Sequence, residues 1–383
     1  MASFKKYETK RGEFWQFKCY LGIDPQTGRQ RTTTRRGFKT KRDASNAAAA
    51  FQLSVSRGDM GKSVQKKYTF AEVYEEWFDN YVNTVTESTW VRTQGFFQLH
   101  ILPAFGRKRI ATITTRNVQV AVKKWAGMTT KNYKRWFTFT KQIFRYAKRQ
   151  GYCKDNPCDA VELPRHQDKA GDKAPNYWNR QQVQQFFSCI DRDKEPETYT
   201  MFYTLIASGM RRGEMLALTW GDVSFKDSTL RVNKTLTQGV RGRTIVDPPK
   251  TRSSRRTIQM DASSMQVLHH WQMIQAQRLL AMGLRMDAKK QLVFANSKNG
   301  FHSLDTPHKR LRKICDDNGL QYITVHGFRH SAVSNLLSAG VDVSTVQRRM
   351  GHASPEMTLR VYAHVSKEQA QEGADKLAKY LNL

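Results

Sequence analysis

The second half of the sequence contains cationic, imidazole and hydroxyl side chains whose types suit chemistry on a phosphate group. They occur in four segments: SGMRRGE at 208–214, PPKTRSSRRTI at 248–258, HGFRH at 326–330 and GHASPEMTLRVYAHV at 351–365. An arginine can donate two parallel hydrogen bonds to phosphate oxygens and stabilise the negative charge that grows on them. A phenol hydroxyl becomes a nucleophile when cations and a base lie near it. These residue types raise the question whether the four segments act together on a phosphate group.

Tyr362, in the last of these segments, has a local pattern with a simple structural interpretation. Ser354 and Pro355 predict the start of a short helix. On that helix Leu359, Tyr362 and Val365 share one face, as residues of a packed core do. Taken alone, Tyr362 is therefore a scaffold residue, and only the rest of the chain can indicate otherwise.

The charge of the chain favours a polyanionic partner. The sequence has 64 Lys and Arg against 33 Asp and Glu, a formal net charge of +31 over 383 residues. The surplus is spread along the whole chain, whereas a merely solubilising surface mixes both signs near balance. Nucleic acid is the partner that this composition predicts.

Neither a membrane location nor a disulfide framework is expected. No apolar stretch follows MASFKKYETK, so no secretory signal is predicted, and no run of 18 apolar residues occurs. The cysteines are scattered, odd in number and without a CxxC pair: Cys19, Cys153, Cys158, Cys189 and Cys315. They predict reduced thiols in a cytoplasmic protein and no zinc site. No membrane partner is expected, because the chain has neither a spanning apolar run nor an amphipathic anchor.

Residues 1–64 predict a small N-terminal domain of a three-stranded β-sheet plus helix. The alternation in FWQFKCYLG, the turn DPQTG and the segment RQRTTTRRG predict strands, and TKRDASNAAAAFQLSV predicts an alanine-rich helix. The domain is strongly basic, and its candidate DNA-binding residues are Arg31, Arg35, Arg36 and Lys39.

Residues 65–166 predict an all-α helical bundle with one basic surface. Four segments carry apolar residues at three- and four-residue spacing. No glutamate lies between Lys131 and Arg149 to compensate the basic side chains there. The candidate DNA-binding residues of this bundle are Lys134, Arg135, Lys141 and Arg145.

Residues 175–383 predict a mixed, mainly α domain with a small antiparallel sheet. A capped helix begins at Asn179, a β segment runs from about 224 to 260, and Asp342 can cap a short helix that Gly351 ends. The polar segments 56–68 and 166–178 predict the two linkers. The whole chain is therefore expected to be a multidomain α and β protein.

Two other sites are suggested by the sequence and are disfavoured. The first linker resembles a phosphate-binding P-loop around Gly61, Lys62 and Ser63, but Ser56 stands where the motif needs glycine and a helix precedes it instead of a strand. His326 and His330 have the spacing of zinc ligands on a helix, but the glutamate of HExxH is missing. His330 is expected to be a packing residue.

The four segments together resemble the tyrosine recombinase, or phage integrase, family, which has Arg, Lys, His-x-x-Arg, His and Tyr in this order. His352 and Tyr362 lie ten residues apart, as the family pattern requires. The bundle and the N-terminal domain are also similar to the core-binding and arm-binding domains of the larger integrases. The sequence departs from the pattern at Ser208, where threonine is frequent, and at Gly327, where an acidic residue is frequent.

The resemblance implies a role for each catalytic candidate. Arg211, which fits the Gly-x-Arg pattern better than Arg212, and Arg329 would bind the nonbridging phosphate oxygens. Tyr362 would form a 3′-phosphotyrosyl intermediate that stores the bond energy, so no ATP is needed.

The remaining candidates would manage protons and hydrogen bonds. His326 would accept the proton of the nucleophile, and His352 would donate to a nonbridging oxygen. Lys250 would protonate the departing 5′ oxygen, although a basic hairpin lysine is by default a phosphate contact. Glu214 is expected to pair with a neighbouring arginine.

The family implies a site-specific recombinase that integrates and excises a mobile element such as a prophage or conjugative transposon. Its partners would be double-stranded DNA at core and arm sites, three further copies in a homotetramer, an excision factor and a host DNA-bending protein. No metal and no cofactor are expected. Two alternatives stay open: a type IB topoisomerase-like relaxing enzyme, and a non-catalytic DNA-binding regulator on the same fold.

Overall fold

The structure, a computed structural model, describes residues 2–9, 12–23, 30–56, 68–164, 175–249, 252–362 and 381. The chain forms two compact units, of which the first comprises Met1–Tyr81 and Phe96–Pro164, and the second Val82–Gly95 and Arg165–Leu383. The division into three domains at 1–64, 65–166 and 175–383 stays a prediction.

The N-terminal segment forms the predicted three-stranded sheet and helix. The elements are β1 (Ser3–Thr9), β2 (Gly12–Ile23), β3 (Gln30–Phe38) and α1 (Lys41–Ser56). The sheet is antiparallel in the order β1-β2-β3. Alternation along β2 buries Phe17 and Cys19 against Ala44, Ala48 and Phe51 of α1.

Helices form the rest of the first unit, as the spacing of apolar residues predicts. They are α2 (Phe70–Tyr81), α4 (Leu102–Phe105), α5 (Thr115–Met128) and α6 (Asn132–Arg149). A π-helical turn, Phe97–Ile101, leads directly into α4. Phe70, Trp77, Phe97, Trp125 and Phe144 lie in the common core. The intervening helix α3 (Glu87–Phe96) lies almost wholly in the second unit.

The second unit is mixed and mainly helical, which confirms the predicted fold class. Its further helices are α7 (Arg180–Ser188), α8 (Pro196–Ser208), α9 (Arg212–Leu216), α10 (Ala262–Ala281), α11 (Thr306–Asp317), α12 (Val325–Ser338), α13 (Val343–Met350) and α14 (Pro355–Tyr362). Among the described residues no helix has the length and apolar character needed to cross a bilayer.

In the described part of the predicted β segment, five short strands form two sheets. The strands are β4 (Val223–Ser224), β5 (Thr229–Val232), β6 (Thr235–Gln238), β7 (Thr244–Asp247) and β8 (Arg256–Gln259). One antiparallel sheet has the order β4-β5-β8, and β6 pairs with β7 as a separate hairpin. The hairpin is thus inserted between two adjacent strands of the larger sheet.

Helix α12 is held in the centre of this unit by aromatic packing. Phe328 contacts Trp178, Phe186 and Phe202, with ring centroids 5.2 to 5.4 Å apart. The backbone N–H of Trp178 also donates to the Ser331 hydroxyl at 2.8 Å. Because Phe328 and Arg329 are adjacent, this packing fixes the direction in which Arg329 leaves the helix.

Candidate active site

A left-handed turn at the end of α8 directs the chain towards Arg211. Gly209 ends the helix with φ at 65°, and a Cβ added there would lie 2.4 Å from the Met350 Sδ. The Ser208 hydroxyl donates to the Thr204 carbonyl at 2.5 Å and accepts from the Met210 N–H at 3.2 Å. The turn is therefore closely packed and internally hydrogen-bonded.

Glu214 joins two arginines that are distant in sequence. Its Oε1 lies 2.8 Å from Arg211 Nη1, and its Oε2 lies 3.0 Å from Arg256 Nη2. The carboxylate also accepts from the Arg211 backbone N–H at 2.9 Å. Burial alone would raise the pKa of the Glu214 carboxyl, but Arg256 and Arg211 outweigh it and lower that pKa. The predicted pairing of Glu214 with arginine is confirmed.

Arg212, the neighbour of Arg211, contacts a different carboxylate. Its Nη1 lies 3.8 Å from an Asp305 carboxylate oxygen that is exposed to solvent. This geometry favours Arg211, which alone of the two contacts Glu214 in the described structure.

Arg329 is buried next to these groups, with 2% of its surface exposed. Its guanidinium donates to the Gly209 carbonyl at 2.8 Å and to the Met350 carbonyl at 2.6 Å. A guanidinium has five N–H groups, so these two bonds hold it in place and leave further donors for a ligand. Burial, followed by the charges of Arg211 and Arg256, lowers the pKa of Arg329 to about 9.

The electrostatic balance of this cluster favours an anion. Among the described residues, three guanidinium groups, of Arg211, Arg256 and Arg329, lie with one carboxylate, that of Glu214, which leaves a surplus of two positive charges. Like charges in a poorly solvated place repel each other, and a phosphate with two nonbridging oxygens would relieve that repulsion. Hydrogen bonds hold the three guanidinium groups in place, as stabilisation of a transition-state charge requires.

Two histidines on α12 lie beside the arginines. His326 and His330 are one helical turn apart, with ring centroids 4.8 Å apart and planes nearly perpendicular. His326 retains contact with solvent, yet partial desolvation, then His330 and Arg329, lower its pKa to about 4. Its imidazole is therefore neutral at pH 7 and able to accept a proton.

His352 is also buried near the arginines. Gly351 ends α13 with φ at 67°, and a Cβ there would lie 2.7 Å from the Ser253 carbonyl oxygen. The His352 Nδ1 forms a hydrogen bond with the Thr358 hydroxyl at 2.9 Å. Burial, followed by Arg329 and Arg211, lowers the pKa of His352 to about 4. The Nε2 edge of the ring is left for a ligand.

Tyr362 is the last residue of α14, a helix that packs against α12 and α13. Its helix is therefore adjacent to the one that carries His326 and Arg329, but the Tyr362 side chain lies outside the described part of the structure. Lys250 also lies outside the described residues. The roles of both stay predictions.

Two members of the cluster were not identified as candidates from the sequence. Arg256 donates to the Arg349 carbonyl at 2.7 Å besides pairing with Glu214, and Thr358 holds His352. A signal existed for Thr358, since it lies four residues before Tyr362 and so on the same face of the helix. No comparable signal marked Arg256 among the four basic residues of PPKTRSSRRTI.

The N-terminal DNA-binding candidates lie on or just after β3. Arg35, Arg36 and Lys39 are exposed, and Arg35 lies 4.8 Å from the centroid of the Phe51 ring. Arg31 lies in β3, and its side chain is outside the described part.

The candidates on α6 are not equivalent. Lys134, Arg135 and Arg145 are exposed, whereas the Lys141 Nζ lies 2.8 Å from an Asp159 carboxylate oxygen. The helix itself has no glutamate, as the sequence indicates, but the loop after it supplies compensating charge. DNA contacts by these residues stay predictions.

No group of three or more His, Cys, Asp or Glu able to hold a metal ion occurs within the described ranges. The two histidines of the HGFRH segment have arginine neighbours, whose positive charge repels a cation.

Three family models match the chain in succession. They are the phage integrase family at residues 176–369, the phage integrase N-terminal SAM-like domain at 69–126 and the Arm DNA-binding domain at 3–55. The first covers about half of the chain and includes every catalytic candidate.

Similar proteins include integrases and transposases of mobile elements. The ICEBs1 integrase of Bacillus subtilis (strain 168) is 28% identical over 98% of this chain and 99% of its own length. The transposase from transposon Tn916 of Enterococcus faecalis is 25% identical over 68% of this chain and 64% of its own length.

Solved structures share the fold. The Tn1549 transposon integrase in complex with a circular intermediate DNA has a TM-score of 0.65 at 20% identity, and covers 81% of this chain and 99% of its own. A lambda integrase tetramer bound to a Holliday junction has a TM-score of 0.57 at 14% identity, and covers 91% of this chain and 96% of its own.

Proposed function

Because the chain belongs to the phage integrase family, it is a tyrosine recombinase that breaks and rejoins DNA strands, and we propose that Tyr362 is its nucleophile. The observation that carries the proposal is the surplus of two positive charges held by Arg211, Arg256, Arg329 and Glu214. A cluster built only for stability would balance its charges, since buried unpaired charge is costly.

The reaction begins with attack of the Tyr362 oxygen on the scissile phosphorus. A bond forms between this oxygen and phosphorus, the bond from phosphorus to the 5′ oxygen breaks, and the strand keeps a 3′-phosphotyrosyl link. Arg211 and Arg329 donate to the nonbridging oxygens, where negative charge grows. His352 donates from Nε2 to one of the same oxygens.

Two proton transfers complete the step. His326, neutral at pH 7, accepts the proton that leaves the Tyr362 hydroxyl. Lys250 gives a proton to the departing 5′ oxygen, which leaves as a hydroxyl. Attack of that hydroxyl on the phosphotyrosine reverses the step, and attack by a hydroxyl of another strand gives recombination.

The biological substrate is a mobile element, and we place it among conjugative transposons. The full-length match to the ICEBs1 integrase and the similarity to the Tn916 transposase support this choice over a prophage. The protein would act on double-stranded DNA in the cytoplasm, as a homotetramer on two core sites. An excision factor and a host DNA-bending protein remain candidate partners.

A match to an arm-binding domain favours recombination over the two alternatives. A topoisomerase that only relaxes DNA rejoins the two ends of the strand that it has cut. It therefore has no need of a second DNA-binding domain to hold another DNA site. A regulator without catalysis has no need of neutral histidines around a phosphate site.

The test is whether the protein forms a covalent adduct with a suicide substrate. This substrate is a nicked core site, from which the short cleaved fragment diffuses away and leaves the protein attached to the DNA. The wild type is expected to give a slow-migrating band on a denaturing gel, and Tyr362→Phe to bind the same DNA without the band, because only the hydroxyl is removed. An adduct in Tyr362→Phe would assign the nucleophile elsewhere, with Tyr322 and Tyr203 as the next variants.

A further inference from the structure

The tip of the β6–β7 hairpin is fastened to the first turn of α3 by one carboxylate. Glu87 Oε1 accepts from the Val240 backbone N–H at 3.0 Å. The Arg243 Nη2 donates to both oxygens of Glu87, at 3.2 and 3.0 Å. All three residues belong to the second unit.

The turn of the hairpin is shaped for this carboxylate. A Cβ added to Gly239 would lie 2.4 Å from Glu87 Oε1 and 2.3 Å from Ile245 Cδ1. Only glycine therefore lets the carboxylate approach the turn so closely. The Val240 N–H, and to a smaller degree Arg243, lower the pKa of the Glu87 carboxyl, so the contact is made by the charged form.

The base of the same hairpin packs against the segment that carries Arg211 and Glu214. A Cβ added to Gly213 would lie 2.5 Å from the Leu236 carbonyl oxygen, so β6 passes as close as possible to the residues between Arg211 and Glu214. The Thr237 hydroxyl donates to the Asp247 carboxylate at 2.6 Å, which ties the two strands together. The hairpin is thus held at both ends.

Strand β7 ends at Asp247, only three residues before Lys250 in the chain. We propose that Glu87 is a positioning residue for the leaving-group step, because it fixes the β6–β7 hairpin, from which the chain continues to Lys250. This inference rests on the proposed function, in which Lys250 protonates the 5′ oxygen. Glu87 itself touches no reacting atom.

A simpler role for Glu87 is to stabilise α3, because an acidic residue in the first turn of a helix interacts favourably with the helix dipole. That role predicts a loss of folded protein or of DNA affinity, with no preference for a leaving group. The two roles therefore differ in their dependence on the scissile oxygen.

The experiment compares single-turnover cleavage of an ordinary core site with one whose scissile 5′ oxygen is replaced by sulfur, which leaves without protonation. Glu87→Gln keeps an acceptor for Val240 and removes the charge that Arg243 binds. We expect Glu87→Gln and Arg243→Gln to cleave the oxygen substrate about three- to tenfold more slowly and the sulfur substrate at the wild-type rate. Arg241→Gln, an exposed arginine in the same turn, is the matched control and should cleave both substrates normally.

The double variant Glu87→Gln/Arg243→Gln should be no slower than either single variant, because both changes break one contact. Equal defects on oxygen and sulfur, or no defect on either, would overturn the inference. Lys250→Ala is measured in parallel: if sulfur rescues it but not Glu87→Gln, the inference alone fails. If sulfur does not rescue Lys250→Ala, the proposed role of Lys250 fails.

Discussion

Arg256 and Glu214 form an ion pair in which both side chains are almost fully buried, with exposed fractions of 6% and 2%. Glu214 is also the carboxylate that accepts from Arg211, so a single acidic group holds two of the three guanidiniums of the site. The arrangement uses one negative charge to bring positive charges together and leaves a surplus of positive charge for the proposed DNA phosphate.

Removing the charge of Glu214 should therefore destabilise the free protein and make it depend on anions. Glu214→Gln leaves the buried Arg256 guanidinium and the partly exposed Arg211 guanidinium without their carboxylate, and we expect a loss of about 3–5 kcal/mol in the free energy of unfolding. Sulfate should recover more stability in the variant than in the wild type, because the anion takes the place of the carboxylate.

Thermal unfolding with and without sulfate measures both effects. Asp305→Asn is the control, since it breaks the exposed contact with Arg212 and should change stability by less than about 1 kcal/mol. Equal sulfate responses of Glu214→Gln and the wild type would contradict a charge surplus at this site.

The histidines make the stability of the DNA-free protein depend on pH. His326 and His352 each have a pKa of about 4 in the folded protein, below the ordinary value of 6.5. The unfolded chain therefore binds more protons than the folded protein between these pH values. Above about pH 6.5 the histidines do not lower the free energy of unfolding, and as the pH decreases from there towards 4 they lower it increasingly.

His352→Asn should flatten this dependence, because asparagine can keep a bond to Thr358 but does not titrate. Each fully shifted histidine contributes at most about 1.4 kcal/mol per pH unit. Denaturant unfolding at pH 7.5, 6.5 and 5.5 measures the slope. A variant as sensitive to acid as the wild type would show that His352 is not held neutral.

Local patterns allowed much of the fold to be predicted. The alternation in FWQFKCYLG gave the central strand β2, and Asp342 does cap α13 through the Thr345 N–H at 2.9 Å while Gly351 ends it. Such features depend on residues within one turn or strand of each other, so the sequence contains them in full.

Long-range contacts could not be predicted in this way. Arg256 is 42 residues from Glu214, and Glu87 is 156 residues from Arg243, and no periodicity relates the members of either pair. The inserted hairpin β6–β7 also looks like a part of one sheet in the sequence, because short strands give the same alternation whichever partner they take.

Gly327 illustrates a departure from the family pattern that only the structure explains. A Cβ at this position would lie 2.9 Å from the Asn176 carbonyl oxygen and 2.9 Å from Ile323 Cβ. The segment before α7 therefore passes where a side chain would otherwise stand. The acidic residue frequent in the family has no room here unless that segment moves.

The hydroxyl of Thr358 should matter for cleavage although it lies behind His352. Thr358→Val removes the hydrogen bond that orients the buried imidazole and leaves Nδ1 without this partner, so we expect about a tenfold slower formation of the covalent adduct. Thr358→Ser keeps the hydroxyl and is the control, with a rate near that of the wild type. Equal rates for valine and serine would show that the bond does not position His352.

The N-terminal segment is the feature that distinguishes a recombinase, which assembles on several DNA sites, from an enzyme that only cuts DNA. Its sheet and helix bury a core of their own around Phe17, Cys19 and Phe51, and it matches an arm DNA-binding domain at residues 3–55. A tethered domain of this kind can hold a second DNA sequence, because the linkage makes the second contact effectively intramolecular.

A chain that begins near Ser63 retains every catalytic candidate, since all of them follow residue 200. We expect it to bind core sites more weakly and with less dependence on salt concentration, because phosphate contacts are lost, and still to form the Tyr362 adduct on the suicide substrate. It should fail to integrate a plasmid whose attachment region includes the flanking arm sites, whereas the full chain succeeds. Integration by the shortened protein at the full rate would show that residues 1–62 do not bind arm sites, and the model of two simultaneous DNA contacts would then be wrong.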